Sequence, residues 1–312
     1  MGKEKKQKEL IIIGGGPAGL TAAIYGARAK LNMLLLEDQI LGGQVRNSYT
    51  IENYPGFKTV TGTELADLMQ QQAEELGAEI DEFDMIEKVD FSGEKKIIET
   101  SNYIYETDTV IISTGATPRK LPIPNEEKFS GKGIHYCAVC DGAMYEGKVI
   151  AVVGGGNSAL EEALFLTKFA KKVYMIRRYD YFKGEKSTID EVMNHPKIEV
   201  LFNEDLVDVE GKDFVEKAII KNTKDNSEKE LELDAIFGYI GTEPKTELFK
   251  EYINLNHGYI PTDNNMKTNI EGVYAAGDVR EKEFRQITTA VSDGTIAALQ
   301  AEKYVVEKSK NR

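Results

Sequence analysis

The sequence predicts an α/β protein with two Rossmann-like domains, the second inserted into the first. Two strand–turn–helix segments support this prediction, because their leading turn glycines, Gly14 and Gly154, lie 140 residues apart in similar surroundings. Two further apolar strands end at glycine and continue through Pro118 and Pro244, which indicates a passage between domains. The chain has 312 residues, about twice the ~150 residues of one typical domain.

The first domain opens with one such segment. An apolar run at 10–13 predicts a buried strand, which ends where Gly14 begins a turn. Pro17 suits the first turn of a helix, and small residues extend that helix over 17–30. Apolar runs at 33–36 and 109–113 predict further strands. We interpret residues 1–8, which are rich in lysine, as a solvated tail.

The second segment repeats this order. The same pattern predicts a strand at 149–153, a helix at 157–170 and strands at 173–176 and 235–240. Alternating small and apolar side chains predict a final helix over 286–308. With hinges at Pro118 and Pro244, we expect one domain of residues 1–118 plus 244–312 and an inserted domain of residues 119–243.

Composition and charge exclude several classes of protein. Apolar residues make up 41% of the chain, which is typical of a globular protein and excludes a disordered or collagen-like one. The net charge of −13 argues against a nucleic-acid partner. No apolar run approaches the ~18 residues of a transmembrane helix, so we expect a cytoplasmic protein without a membrane partner. The only cysteines are Cys137 and Cys140, which excludes a secreted fold stapled by disulfides.

The first glycine turn has the features of a dinucleotide site. Gly14, Gly16 and Gly19 follow a strand and open a helix, and Glu37 comes 23 residues after Gly14. Such glycines let the backbone approach a pyrophosphate at the helix N-terminus, and the acid accepts from ribose hydroxyls. The alternative is a tight turn beside an ordinary surface glutamate.

The second turn has the opposite charge at the matching position. Gly154, Gly156 and Ala159 form the motif, and residue 177, again 23 positions on, is Arg177, followed by Arg178. An arginine pairs with a ribose 2′-phosphate where a carboxylate repels it, so this site suits NADPH. The alternative is that both arginines belong to a solvated edge.

The two cysteines form a C-x-x-C pair just before the second turn. Such a pair closes a small disulfide ring and exchanges with other disulfides. A zinc site needs a second pair of cysteine or histidine ligands at matching spacing, which the sequence lacks, so we expect no metal. Asp141 follows Cys140 and either carries the proton that thiol chemistry moves or begins a turn at Gly142.

The chain resembles the low-molecular-weight, flavin-dependent thioredoxin reductases of the bacterial and archaeal type. The resemblance covers nearly everything from Leu10 to Val306 and rests on motifs that stand in family order. These are the two glycine turns, the Gly42-Gly43-Gln44 turn, Ile51-Glu52-Asn53-Tyr54-Pro55-Gly56, Ser113-Thr114-Gly115-Ala116, Cys137 to Gly142, and Tyr274-Ala275-Ala276-Gly277-Asp278-Val279.

The resemblance implies two three-layer ββα domains of the kind that bind FAD and NAD(P), in a homodimer. It implies FAD at the first site, held by Gly14, Gly16, Pro17, Ala18, Gly19, Glu37, Gly42, Gly43, Gln44, Asn53, Thr114, Gly115, Ala116, Gly277, Asp278, Arg285, Gln286 and Ile287. It implies NADPH at the second, held by Gly154, Gly156, Asn157, Ser158, Ala159, Arg177, Arg178 and Lys183. Electrons then pass through FAD to the catalytic Cys137, Cys140 and Asp141, and on to thioredoxin or a thioredoxin-like protein.

One departure from the family bears on the electron donor. Relatives usually carry a further arginine where Tyr179 stands, and another where Lys183 stands. Lysine lacks the bidentate fork of arginine, so the phosphate site is weakened. NADPH, NADH and ferredoxin therefore stay open as donors of a flavin disulfide reductase. A non-enzymatic flavin-binding module is the alternative of a different class.

Overall fold

The computed structural model describes residues 3–47, 51, 53–136 and 138–310. The chain divides into two compact units, one formed by Met1–Thr117 with Pro244–Arg312 and the other by Pro118–Glu243. The second unit is thus inserted into the first, with the divisions next to Pro118 and Pro244. The predicted α/β class with two Rossmann-like domains is confirmed.

Strands and helices alternate along much of both units. The strands are β1 Glu4–Ile13, β2 Met33–Glu37, β3 Ile80–Glu82, β4 Ile86–Asp90, β5 Lys96–Thr100, β6 Tyr103–Ile112, β7 Ala116–Pro118, β8 Ile134–His135, β9 Val149–Gly154, β10 Lys172–Arg177, β11 Ile198–Phe202, β12 Glu204–Glu210, β13 Lys217–Asn222, β14 Glu228–Glu232, β15 Ala235–Tyr239, β16 Thr242–Pro244 and β17 Val273–Ala275. The α-helices are α1 Pro17–Arg28, α2 Gly62–Glu75, α3 Glu126–Phe129, α4 Ala138–Asp141, α5 Asn157–Leu166, α6 Lys186–Asn194 and α7 Ile287–Lys310.

The first unit is built on a seven-stranded sheet of order β3-β2-β1-β6-β5-β4, with β17 pairing to the end of β6. β1 pairs in parallel with β2 and β6, whereas β5 and β4 continue the sheet antiparallel. One apolar cluster packs residues of α1 and α7 against one face of the sheet. A second cluster includes side chains of β4, β5 and the segment around Phe249. The carboxyl ends of β1, β2, β6 and β17 all reach one edge, where parallel sheets bind ligands.

The second unit has a parallel sheet of order β11-β10-β9-β15-β8 and an antiparallel sheet of order β12-β13-β14. The antiparallel strands share an apolar cluster with β9, β10 and β15. α5 and α6 share a second cluster with the same parallel sheet. Helices, parallel sheet and antiparallel sheet therefore form the three layers expected for each unit.

The expectation of a solvated tail at residues 1–8 is wrong. β1 begins at Glu4, and residues 4–8 pair with residues 103–107 of β6. The lysines there are compensated, because Lys3 pairs with Glu87 and Glu99, and the buried Lys8 pairs with Glu79 at 2.6 Å. These acids come from strands and turns far along the chain. The local sequence therefore predicts a tail, because it does not show the partners of the lysines.

Helix ends differ slightly from the sequence-based bounds. α1 ends at Arg28 and α5 at Leu166, each before the predicted end, and α7 runs from Ile287 to Lys310. After α5 the Thr167 hydroxyl donates to the Leu164 carbonyl oxygen at 2.6 Å, as side chains do where a helix ends. Within the described part of the chain, no helix has the length and apolar character needed to span a membrane.

Candidate functional site

The turn between β1 and α1 is shaped by its glycines. Gly14 has a φ of +101°, and a Cβ there would lie 2.5 Å from the Ser113 carbonyl oxygen. A Cβ on Gly19 would overlap the carbonyl oxygen of Gly14. At Gly16 the nearest atom to the Cβ position is the Gly43 Cα, 4.0 Å away. Gly16 therefore borders open space, where a bound group fits without displacing protein atoms.

The N-terminus of α1 is suited to an anion. Pro17 occupies the start of the helix, and the first turn has neither an acidic residue nor a side chain that caps it. The first amides of a helix lack partners within it and carry the positive end of its dipole. Ala18 brings this turn close to Gly277, because a Cβ on Gly277 would lie 2.9 Å from the Ala18 Cβ.

Glu37, at the end of β2, stabilises the turn between β1 and α1 through hydrogen bonds from its carboxylate. Its Oε2 accepts from the Gly15 amide at 2.7 Å, and its Oε1 accepts from the Gln39 amide at 3.0 Å. Burial raises the pKa of Glu37, and the neighbouring Asp38 adds to that shift. Each oxygen has a second lone pair, so the carboxylate can still accept from a hydroxyl.

The predicted Gly42-Gly43-Gln44 turn packs against the first glycine turn. The Gly42 amide donates to the Gly15 carbonyl oxygen at 2.8 Å, and Gly42 has a φ of +109°. A Cβ on Gly43 would lie 3.1 Å from the Gly16 Cα, so two glycines allow the close approach. Gln44 is exposed in this turn.

Two more predicted residues meet beside this region. Asn53 donates through Nδ2 to Oε1 of Gln286 at 3.3 Å, although the two residues are 233 positions apart. The Gln286 amide donates to the Thr289 hydroxyl at 3.1 Å, and Ile287 begins α7.

The segment after β6 is pinned by the chain that follows β16. The Thr114 hydroxyl donates to the Lys245 carbonyl oxygen at 2.7 Å, and the Lys245 amide donates to the Gly115 carbonyl oxygen at 3.0 Å. Gly115 has a φ of +67°, with no neighbouring atom within 4 Å of its Cβ position. Ala116 is buried.

Besides one oxygen each of Asp84 and Glu204, two buried side-chain atoms of the described residues have no hydrogen-bond partner, and both lie in the segment 278–285. They are Oδ1 of Asp278 and Nε of Arg285. Lys282 Nζ lies 3.3 Å from that Asp278 oxygen, but outside hydrogen-bond geometry. The Arg285 guanidinium also lies over the Tyr259 ring, 4.4 Å from its centroid. Buried polar atoms are rarely left without a partner, so an acceptor and a donor in this state indicate a ligand site.

A buried charge cluster under Gly277 was missed by the sequence analysis. Asp293 of α7 accepts from the Gly277 amide at 3.1 Å and pairs with Arg280 at 2.7 Å and Lys282 at 3.1 Å. Asp293 is only 7% exposed. It fixes the segment that carries Asp278. No motif marks Asp293, since its partners are recognisable only once α7 is folded against them.

The second glycine turn repeats the first with different surroundings. A Cβ on Gly154 would overlap the Tyr239 carbonyl oxygen, whereas the nearest atom to a Cβ on Gly156 is 4.0 Å away. Asn157 accepts through Oδ1 from the Glu185 amide at 2.7 Å. Ser158 is exposed at the start of α5, and Ala159 is buried beneath it.

Arg177 takes the place in this turn that Glu37 takes in the first. Its Cζ lies 2.7 Å from where a Cβ on Gly155 would stand, so the guanidinium covers the middle glycine. Its Nε donates to the Tyr181 carbonyl oxygen at 3.0 Å. The Tyr179 ring centroid lies 4.6 Å from Cζ, which is a cation–π contact.

The remaining basic residues are arranged less favourably for a phosphate. Arg178 pairs with Asp205 at 3.0 Å, with both side chains partly exposed. The sequence analysis did not identify Asp205, because this residue lies on β12 and only the fold brings it next to Arg178. The Lys183 amide donates to the Gly155 carbonyl oxygen at 2.7 Å, which places this exposed residue beside the turn.

The C-x-x-C motif lies just before these elements. Cys137 lies outside the described residues, and of Cys140 only the backbone, in α4, is described. The Ala138 amide donates to the Tyr239 hydroxyl at 2.8 Å. Asp141 pairs through Oδ2 with Nδ1 of the buried His135 at 3.0 Å. In the described part of the chain, no three histidine, cysteine or acidic side chains are grouped as metal ligands.

Known proteins share this architecture over nearly the whole chain. A 34.2 kDa protein in the rubredoxin operon of Clostridium pasteurianum is 54% identical, over 97% of this chain and 99% of its own. The thioredoxin reductase of Peptoclostridium acidaminophilum is 45% identical, over 95% of this chain and 96% of its own. The crystal structure of Lactococcus lactis thioredoxin reductase has a TM-score of 0.91 and 42% identity, covering 96% of this chain and 99% of that one.

These similarities confirm the resemblance to low-molecular-weight bacterial thioredoxin reductases. The profile described as pyridine nucleotide-disulphide oxidoreductase matches residues 8–294, which span both glycine turns and the C-x-x-C motif. The chain therefore belongs to the pyridine nucleotide-disulphide oxidoreductase family.

Proposed function

We propose that this oxidoreductase is a thioredoxin reductase that takes electrons from NADPH, passes them through FAD to the Cys137–Cys140 pair, and delivers them to the disulfide of thioredoxin. One observation carries the proposal. The two glycine turns are covered by side chains of opposite charge, Glu37 and Arg177, and the C-x-x-C motif directly precedes the second. Relatives named thioredoxin reductase support the choice of partner.

The residues of the first unit fit FAD. Gly16 leaves open space beside an uncapped helix N-terminus, which suits a pyrophosphate. Oδ1 of Asp278 has an ion-pair contact with Lys282 but no hydrogen bond, so it can accept from a ribityl hydroxyl. Nε of Arg285 also has no hydrogen bond and can donate to the flavin. FAD, when bound, accepts a hydride from a reduced nucleotide and returns the electrons to a disulfide.

The residues of the second unit fit a pyridine nucleotide. Gly156 borders open space at the N-terminus of α5, as Gly16 does at α1. Arg177 and Lys183 lie at Gly155 of this turn, and Arg178 follows Arg177 in sequence, which supports a positively charged site. We propose that this charge attracts the 2′-phosphate of NADPH.

NADH is the second candidate donor, and one contact favours it. The Asp205 carboxylate neutralises part of the Arg178 charge and would repel a 2′-phosphate. NADPH preference is therefore expected to be weaker than in an enzyme with unpaired arginines. A ferredoxin donor is disfavoured, because it makes no use of the glycine turn at Gly154.

The Cys137–Cys140 pair is proposed as the redox centre because these are the only cysteines of the chain. Asp141, which is next in sequence, is proposed to carry a proton to or from the pair. We further propose that the protein is a cytoplasmic homodimer. The net charge of −13 supports a protein that binds neither nucleic acid nor an anionic membrane surface.

The proposal is tested by anaerobic reduction of the purified protein with NADPH and NADH side by side. We expect yellow protein with about one FAD per chain, bleached faster by NADPH than by NADH at equal concentration. Adding a bacterial thioredoxin and a chromogenic disulfide should then give continuous turnover.

Each other outcome selects a different function. Faster bleaching by NADH would make NADH the donor, and bleaching by reduced ferredoxin alone would remove the role of the second turn. Bleaching without thioredoxin turnover would show a flavoprotein with another acceptor. Protein that binds FAD but is reduced by none of these donors would be a non-enzymatic flavin-binding module.

A further inference from the structure

His135, which the sequence analysis left without a role, is held on both sides of its ring. Its Nδ1 lies 3.0 Å from Oδ2 of Asp141, and its Nε2 lies 2.8 Å from the Tyr145 hydroxyl. The ring stacks on Phe237, with centroids 5.3 Å apart. The side chain of His135 is 3% exposed and that of Asp141 is 30% exposed, so a buried ring joins two partly exposed side chains, Asp141 and Tyr145.

The direction of these hydrogen bonds follows from the chemistry of the three groups. An ionised carboxylate only accepts, so Nδ1 of His135 carries the hydrogen and donates to Asp141. A neutral imidazole then accepts at Nε2, and the Tyr145 hydroxyl donates to it. The row is therefore Tyr145 to His135 to Asp141, with one histidine tautomer.

The surrounding groups keep the ring neutral. Burial lowers the pKa of His135, and the Asp141 carboxylate opposes that shift. Burial raises the pKa of Tyr145, with Asp141 and Asp234 adding to it, so its hydroxyl stays protonated and available as a donor. The nearby Tyr239 hydroxyl accepts from the Ala138 amide.

The helix that carries Asp141 is too short to orient this side chain by itself. α4 has four residues, Ala138–Asp141, and no side chain caps the turn that follows. Gly142 packs tightly, since a Cβ there would lie 2.8 Å from the Leu166 Cδ2. The backbone is thus fixed, but the carboxylate direction depends on the bond from His135.

We propose that His135 is a positioning residue, which holds the Asp141 carboxyl group through Oδ2 and leaves Oδ1 for proton exchange with the dithiol. This inference rests on the proposed function. It assigns to His135, and through it to Tyr145, a part in the proton transfer that accompanies disulfide exchange.

The dithiol of Cys137 and Cys140 loses two electrons and two protons and forms one S–S bond, while the S–S bond of thioredoxin breaks to give two thiols. Asp141 takes up and releases one of these protons. His135 keeps its own proton at Nδ1 throughout, so it changes the rate of the step and not its products.

Two substitutions separate positioning from packing. The side-chain amide of Asn reaches the position of Nδ1 and can donate to Asp141, whereas that of Gln reaches the position of Nε2 and cannot. The experiment compares His135→Gln, His135→Asn and Asp141→Asn in the FAD-loaded full chain, measuring kcat and KM for a bacterial thioredoxin across pH. His195→Gln, at a half-buried position of the same unit, is the matched control.

We expect His135→Gln to lower kcat about tenfold, less than the ~10²–10⁴-fold contribution of a general acid, because Asp141 is displaced and not removed. The KM for thioredoxin should be unchanged. Its pH profile should move toward that of Asp141→Asn, and His135→Asn should restore most of the rate. The double variant His135→Gln, Asp141→Asn should be no slower than Asp141→Asn alone. Flavin bleaching by NADPH should be unaffected in all variants.

Equal losses in the Gln and Asn variants with an unshifted pH profile would overturn the inference, because they would indicate core packing. The inference would also be overturned if the loss of kcat in the double variant equalled the product of the two single losses, because the two side chains would then act independently. If His135→Gln does not fold, judged by FAD content and circular dichroism, His135→Asn and Tyr145→Phe carry the test, with near-normal and reduced kcat expected. An unmodified protein that bleaches but never reduces thioredoxin would instead refute the proposed function, and this inference with it.

Discussion

Glu37 and Arg177 cover the middle glycines of their turns, Gly15 and Gly155, and carry opposite charges. A carboxylate at this position accepts from ribose hydroxyls and repels a phosphate, whereas a guanidinium attracts it. We therefore propose that one side chain in each unit distinguishes two otherwise similar nucleotide sites. At the residue scale, the proposed selectivity comes from charge next to an unchanged backbone turn.

The open space beside Gly16 and Gly156 gives a reciprocal pair of predictions. Gly16→Val should fold but lose FAD, with affinity falling more than about tenfold, because the new side chain occupies the pyrophosphate position. Gly156→Val should stay yellow but bleach slowly with NADPH. FAD content by absorbance and stopped-flow bleaching measure the two effects. A fully loaded Gly16→Val protein would show that the first turn has only a structural role.

Asp205 is predicted to limit the preference for NADPH. Asp205→Asn frees Arg178 from its 3.0 Å ion pair, so kcat/KM for NADPH relative to NADH should rise about three- to tenfold. Arg178→Ala should lower the same ratio. Steady-state kinetics with both nucleotides measure it. If neither variant changes the ratio, the Arg178–Asp205 pair is only a solvated edge.

Glu162 of α5 is predicted to make stability depend on pH. Burial raises the pKa of this half-buried carboxyl to about 7, with Glu161 adding to the shift. The folded protein favours the protonated form of Glu162. This contribution to the free energy of unfolding is therefore complete below the ordinary pKa of 4.5 and is lost as the pH rises through about 7. Glu162→Gln should therefore stabilise the protein at pH 8, by about 1–2 kcal/mol after allowance for solvent screening, and not at pH 4. Thermal unfolding at both pH values decides; equal effects would contradict the raised pKa.

At the scale of elements, β1 shows how a charged segment becomes the centre of a sheet. Residues 4–8 extend the buried strand and pair with β6, while Lys6 lies over the Tyr103 ring, 3.4 Å from its centroid. The lysine stems cover apolar surface and their charges meet acids on neighbouring strands. The strand therefore begins well before its apolar part.

Removing residues 1–7 tests this extension. The shortened chain should unfold at a lower temperature, by at least about 2 °C, because several ladder hydrogen bonds and the Lys3 ion pairs are lost. Lys5→Ala serves as the control, since this side chain is 68% exposed and its ion pair is long at 3.5 Å. An unchanged midpoint in the shortened chain would mean that the first residues do act as a tail.

The elements predicted from sequence are those whose signal is local. Apolar runs ending at Gly14 and Gly154 predicted both strand–turn–helix units, because the turn forces glycine wherever the chain passes close to itself. The antiparallel strands β12–β14 were not predicted. Their inward side chains, such as Leu206 and Ile220, alternate with many charged residues and give no continuous apolar run.

Partners distant in sequence were beyond prediction for the same reason. The spacing of 23 residues located Arg177, but Asp205 reaches Arg178 from another sheet. The sequence analysis gave His135 no role, because its bonds to Asp141 and Tyr145 depend on how α4 follows β8. Sequence motifs identify the residues expected to contact a ligand. The residues that orient them are distant in sequence and can be identified only in the folded structure.

At the scale of the whole molecule, the chain separates its chemistry between two units. Met1–Thr117 with Pro244–Arg312 carries the residues that fit FAD, and Pro118–Glu243 carries both the nucleotide turn and the C-x-x-C motif. Under the proposed function, the nucleotide donor and the cysteine pair belong to one unit and the flavin to the other.

The central claim is that electrons reach thioredoxin only through Cys137 and Cys140. The most direct test is NADPH-dependent reduction of a bacterial thioredoxin by the Cys137→Ser, Cys140→Ser double variant, with flavin absorbance followed in the same cuvette. We predict that this variant keeps its FAD and is bleached by NADPH, yet reduces no thioredoxin while the unmodified protein turns over. Sustained thioredoxin reduction by the double variant would contradict the claim.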